Sequence, residues 1–223
     1  MKTKITSIII IFLLLVSAGK AQEQKEEEMV QGPSEFGVYS INLNLGWYKP
    51  EMDYWNDTYL PAQGVTEDFE GSLSLGGNIT FSLPANFRVR TGVSYWKDKV
   101  KGNQNSTINS LKIAFTRFRL GAFYVPKNTA LFGAQIYFGA EGQFYIIKNK
   151  LDYGSEKTNQ EGQDYAVAPL VGIERSFGHL IVGAEFLYNL GSYTQDVNTG
   201  TGTIDQKVSI DGPEISISVG YKF

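Results

Sequence analysis

The nine residues ISISVGYKF (215–223) alternate without a fault. Ile215, Ile217, Val219, Tyr221 and Phe223 share one face, and Ser216, Ser218, Gly220 and Lys222 share the other. A strict period of two marks a strand with one apolar and one polar side. The stretch runs to a terminal aromatic with no polar tail, whereas chain ends are ordinarily polar and frayed. A strand that closes a membrane barrel and faces lipid along its whole length accounts for such an ending.

The same alternation recurs upstream and predicts eight strands from Phe36 onward. In the first, Tyr39, Ile41, Leu43, Leu45 and Trp47 oppose Ser40, Asn42, Asn44 and Gly46. The second sets Leu73, Leu75, Ile79, Phe81 and Leu83 against Ser72, Ser74, Asn78 and Thr80, and the third sets Phe87, Val89, Val93 and Tyr95 against Arg88, Arg90 and Ser94. In the fourth, Phe118, Leu120, Ala122 and Tyr124 oppose Arg117 and Arg119, but Leu111, Ile113 and Phe115 run in the opposite phase, so a bulge is expected near Thr116. The fifth, sixth and seventh place Glu141, Glu174 and Glu185 on their polar faces. Pro169 in the sixth withholds one ladder donor.

Short turns (Pro84–Asn86, Pro126–Thr129, Phe177–His179) alternate with long polar connections, about 48–70, 98–109, 148–164 and 191–206. Short turns on one side and long loops on the other are the outer-membrane pattern. The apolar faces carry aromatics at two heights: Trp47, Tyr95, Phe144, Tyr165 and Tyr188 at the loop side, and Tyr39, Phe81, Phe87, Tyr124, Phe132, Tyr221 and Phe223 at the turn side. These are the two girdles of a lipid-facing band. A soluble lipocalin-type barrel would turn its apolar faces inward. It would then put Arg88, Arg90, Arg117, Arg119, Glu141, Glu174, Glu185 and Glu214 outside, although they suit a narrow interior of paired charges.

The fold class expected is therefore all-β: an eight-stranded antiparallel up-and-down transmembrane barrel over 36–223. Before it, Met1–Ala21 reads as a signal peptide, with Lys2 and Lys4, an apolar run at 8–16, and small residues before Gln22. The acidic segment 22–35 reads as a flexible periplasmic leader. The chain has 20 basic and 23 acidic side chains. The first 21 residues hold three of the lysines and none of the acids, so the remainder carries a formal charge near −6. Nucleic acid is a poor partner for that balance. With no cysteine, no disulfide or thiolate chemistry is available.

The ending KAQ of the leader, GWYKPEMDYWND (46–57) and the terminal VGYKF together resemble the small outer-membrane β-barrel proteins of Gram-negative bacteria. The porin-like, outer-membrane β-barrel domain proteins of Bacteroidota are the nearest in style. The resemblance implies an outer-membrane location, contact with lipid and lipopolysaccharide, and delivery by periplasmic chaperones. It also implies that Tyr221 and Phe223 form the signal read by the barrel-assembly machinery. It carries over no ligand-binding residue.

Chemistry has little to work with. The single histidine, His179, falls in a turn at the wrong end for a lipid-modifying enzyme, so no catalysis, cofactor or metal is expected. The lumen charges either fill and rigidify the barrel as pairs or mark an ion path. Tyr54, Trp55 and Tyr59 in the first loop either present a contact surface or pack on the barrel top. The expected protein is a monomeric barrel that presents four loops for envelope integrity or surface contact. The alternative is a narrow channel for ions or small solutes.

Overall fold

The computed structural model describes residues 36–223 apart from 128, 129, 132, 155 and 199–202. The expected signal peptide and leader lie outside the described residues, as does Phe132 of the lower girdle. The strands are β1 (Gly37–Tyr48), β2 (Ser72–Ser82), β3 (Phe87–Lys101), β4 (Ser110–Tyr124), β5 (Ala134–Asp152), β6 (Lys157–Phe177), β7 (Leu180–Asn198), β8 (Thr203–Ser209) and β9 (Gly212–Lys222). From β1 to β8 each strand pairs antiparallel with its neighbour in sequence. β9 pairs with both β1 and β7, which closes the sheet. β8 continues β9 upward along β7, so together they are one stave. A two-residue strand, Ala130–Leu131, clips onto the start of β5. The result is an eight-stave closed barrel, which leaves no sheet edge unpaired in lipid.

Why the sheet closes this way follows from the alternation. Leu43, Leu75, Leu120, Val171 and Ile215 point outward and are exposed, Leu43 to 69%. Their partners across the pleat, such as Ser74, Arg90, Glu141 and Glu214, are buried inside. Among the described residues no helix is long and apolar enough to cross a membrane, so the crossing is made by these strands. Trp47, Tyr95, Tyr165 and Tyr188 lie outward at the upper rim, and Phe87, Tyr221 and Phe223 at the lower. Phe87 and Tyr124 pack with ring centroids 5.3 Å apart, as do Phe144 and Tyr165 at 5.1 Å.

Tyr39 departs from the expected pattern. β1 pairs Val38 with Phe81 and Ser40 with Thr80, so Tyr39 sits in a bulge. An extra residue in one strand flips a side chain to the other face. Tyr39 is thus turned inward, 9% exposed, and is not part of the lower girdle.

The bulge expected at Thr116 is absent. β3 and β4 pair in unbroken register from Phe87–Tyr124 to Lys101–Ser110. Leu111, Ile113 and Phe115 point inward in the same phase as Arg117 and Arg119, and all five are buried. The strand does not slip; the chemistry of its two faces changes places. Below Thr116 the outside meets lipid, and the inside holds the charged side chains beside a smaller apolar cluster that includes Phe123, Tyr137, Leu170 and Leu187. Above it, the outside carries Lys112 and Lys150 and the inside is apolar.

The long connections are also more ordered than their composition suggests. β5 and β6 run on as a hairpin as far as the Asp152–Lys157 pair, and β7 and β8 rise similarly to Asn198–Thr203. Pro169 exacts its expected interruption: the β6–β7 pairing omits Ala168 and Pro169.

Candidate functional site

The lumen is filled in layers. The lowest is Arg88 paired with Glu174, with Gln135 accepting from Arg88 at 3.2 Å. The Tyr39 hydroxyl donates to Glu174 at 2.6 Å, and the Arg88 guanidinium lies 3.7 Å from the centre of the Tyr39 ring. The middle layer is a four-membered ring. Arg90 reaches Glu185 at 2.8 Å and Glu141 at 3.0 Å, while Arg119 reaches Glu141 at 2.6 Å and Glu185 at 3.5 Å. The upper layer is Arg117, which grips Glu214 through both terminal nitrogens at 2.5 and 2.9 Å. Its Nε donates to Ser94 at 2.9 Å, and Ser74 donates to Glu214 at 2.5 Å. Arg117 is 0% exposed.

All eight charged residues expected to face the lumen meet there, in equal numbers of each sign. Charged pairs taken out of water are tolerated only when each is matched and its remaining hydrogen-bonding groups are satisfied. The added donors and acceptors from Ser74, Ser94, Gln135, Tyr137 and Gln143 meet that need. Gly172 leaves room for one of them, because a Cβ there would stand 2.2 Å from the Tyr137 ring. Beside the lower pairs, Asn42, Asn78, Thr80 and Ser218 border a cavity of about 30 Å³, enough for a water molecule or so.

Above Arg117 the lumen turns apolar. Tyr48, Trp96, Phe115 and Tyr145 form an aromatic floor, with Trp96 and Phe115 stacked at 4.8 Å. The first loop folds down onto it. Met52 adopts a positive φ of 53°, and the chain then makes a π-helical turn (Tyr54–Tyr59) and one α-turn (Leu60–Ala62). Met52, Trp55, Leu60, Val65 and Phe69 are buried in the same cluster as the floor. Each large apolar side chain so removed from water contributes about 1.5–3 kcal/mol.

Polar clamps hold this lid. Trp55 donates to the Tyr193 hydroxyl at 2.8 Å. Asn56 receives the Phe69 amide at 2.9 Å and donates to the Glu51 carbonyl at 3.1 Å. Gly64 accepts from Ser106 and Asn103, which ties the second loop to the first. Tyr59 and Tyr153 share a hydrogen bond of 2.9 Å, reaching the β5–β6 tip. Burial and this bond to Tyr153 push the Tyr59 phenol well above its usual range.

Trp55 is therefore not an exposed contact residue: it is 1% exposed and forms the centre of the lid. Tyr54 and Tyr59 pack half-buried beside it. The reason is that a loop rich in aromatics finds, directly beneath it, an apolar floor to cover. Sequence reading missed the floor, although the phase change at Phe115 and Arg117 was its signal. Tyr221 and Phe223 lie together at the lower rim, where Tyr221 stacks on His179 at 5.0 Å. Among the described residues, no three His, Cys, Asp or Glu side chains are grouped to hold a metal.

A closed antiparallel barrel of eight staves, with a lipid-facing belt and a polar, ion-paired lumen, is the fold of the small outer-membrane β-barrels. No protein-family model matches the sequence, and no curated protein matches it. Solved structures do. The outer membrane protein OprG of Pseudomonas aeruginosa is similar at 15% identity, covering 84% of this chain and 96% of that one, with a TM-score of 0.58. AlkL, an outer membrane protein solved in lipid bilayers, is similar at 13% identity over 89% of this chain and 97% of its own, with a TM-score of 0.52. Ail, the attachment invasion locus protein of Yersinia pestis solved with a heparin analogue, is similar at 11% identity. It covers 84% and 99% of the two chains, with a TM-score of 0.51.

Proposed function

We propose that this protein is a non-conducting outer-membrane barrel that acts as a scaffold at the cell surface, in the style of the Bacteroidota barrels its sequence resembles. The lumen is blocked twice, and the blockage is the observation that carries the reading. Arg117 and Glu214 fill the upper polar layer, and the lid over Tyr48, Trp96, Phe115 and Tyr145 covers it. What the barrel offers to the outside is then its rim. The β5–β6 and β7–β8 hairpins stand above the lipid belt, while the first loop is committed to closing the top. This reading replaces four presented loops with two projecting hairpins and a lid.

The test is conductance of the purified protein in a planar bilayer, with folding verified by its heat-dependent gel shift. Silent bilayers are expected. A reproducible conductance that changes when Arg90 or Glu141 is replaced would overturn the scaffold and make the lumen a narrow channel.

A further inference from the structure

Just above the lipid belt, the outer faces of β3, β4 and β5 carry Lys97, Lys99, Lys101, Lys112, Lys148 and Lys150. Their inward neighbours Trp96, Val100, Leu111, Ile113, Ile147 and Leu151 are buried, so these lysines face away from the lumen. The register sets Lys99 opposite Lys112, and Lys112 opposite Lys150. Three like charges thus stand side by side in one row, an arrangement that destabilises a sheet face. Among the described residues, Lys148 is ion-paired, with Glu161 at 2.8 Å, and no carboxylate lies within ion-pair reach of the other five. A chain whose acids outnumber its bases gathers six cations here, against Glu161, whose carboxylate pairs with Lys148 and also feels Lys150, and Glu67, which accepts from the Lys101 amide at 3.1 Å.

The patch is also concave. Ala114 and Thr116 are short, and Tyr95, Lys112, Lys148 and Lys150 rise around them to enclose a cleft of about 230 Å³. Its lower wall, Tyr95, belongs to the upper aromatic girdle. Phe118 and Leu120 continue downward from Thr116 along the lipid-facing side of β4, 49% and 63% exposed. An occupant with anionic groups at the lysines and hydrocarbon along Phe118 and Leu120 satisfies both surfaces at once. The Lys99–Lys112–Lys150 row lies about 13 Å along the strands above Tyr95, at headgroup height.

We propose that this cleft binds the phosphate groups of a phosphorylated glycolipid in the leaflet surrounding the loop side of the barrel. Lysine fits the task, being a compact cation that accepts phosphate without a fixed orientation, and juxtamembrane lysines draw anionic headgroups to a surface. The inference rests on the proposed function only in that the loop side faces the outer leaflet. It does not depend on whether the lumen conducts.

The experiment titrates detergent-purified protein with diphosphoryl lipid A and with its dephosphorylated counterpart. The variant Lys99→Gln/Lys112→Gln/Lys150→Gln is compared with Lys49→Gln/Lys207→Gln, and both are checked for the folded gel shift. Binding of diphosphoryl lipid A is expected to fall by about a hundredfold in the triple variant and to be retained in the control. Dephosphorylated lipid is expected to bind the native protein as weakly as diphosphoryl lipid binds the triple variant. Without lipid, the triple variant is expected to unfold at a temperature no lower than the native protein, since the row repels itself. Equal binding of diphosphoryl lipid A to native protein and triple variant would overturn the proposal. So would inorganic phosphate that binds with the same lysine dependence and displaces the lipid, which would make this a site for free phosphate.

Discussion

The indole N–H of Trp55 donates to the Tyr193 hydroxyl at 2.8 Å, across 138 residues of chain. One end belongs to the first loop and the other to β7, so the bond locks the lid to the barrel wall. Trp55→Ala should cost about 3–5 kcal/mol, as for other buried aromatics. Tyr193→Phe should cost about 1–3 kcal/mol by leaving the indole N–H buried without an acceptor. Urea unfolding followed by gel shift gives the totals. Hydrogen exchange of residues 52–69 should show the lid loosening first.

Arg117 and Glu214 should behave as a unit. Arg117→Met leaves a carboxylate buried and unmatched, and about 3–5 kcal/mol should be lost. Adding Glu214→Leu to it should recover most of that loss. If the double variant is as unstable as the sum of the single ones, the pair is not coupled in the way the geometry implies.

The lid should respond to alkali. Because the folded Tyr59 phenol titrates above its unfolded value, the unfolded chain releases its proton first as pH rises. Its contribution is complete below about pH 10, the ordinary tyrosine value, and is lost as pH climbs from there through the raised folded value. Tryptophan fluorescence should report lid opening above that pH in the native protein. In Tyr59→Phe the same transition should be smaller.

Gly212 has a φ of +150°, and a Cβ there would stand 2.1 Å from the Lys49 carbonyl oxygen. The first loop leaves β1 along this stave, with the Glu51 amide bonded to the Asp211 carbonyl at 2.8 Å. Gly212→Ala should cost about 1–3 kcal/mol and speed exchange of the Glu51 amide. Gly37→Ala, where nothing lies within 4 Å, should be neutral.

The barrel was readable from sequence because lipid imposes a hard rule: outward side chains must be apolar, and a two-residue period records it. The eight lumen charges followed from the same rule, being the residues left on the other face. Tyr39 was misplaced because a bulge costs one residue and leaves no trace in composition. Leu111, Ile113 and Phe115 were misread for a different reason. They were judged by a lipid rule at a height where lipid has ended, and a buried interior can be apolar there. Trp55 followed from them, since an aromatic loop residue looks exposed until the floor beneath it is known. The Lys99–Lys112–Lys150 row depends on pairing between strands, which a single sequence does not display.

The lid also dictates an order of events. Two of its anchors, Tyr193 and Ser209, lie in the closing third of the chain, while the lid itself follows the first strand. Contacts between such distant segments form late, after the intervening chain has been arranged. The first loop therefore waits, with Met52, Trp55, Leu60 and Phe69 uncovered, until the last stave arrives to receive it. Its settling can serve as a clock for barrel completion, and the interval before it is when its aromatics stand open to water.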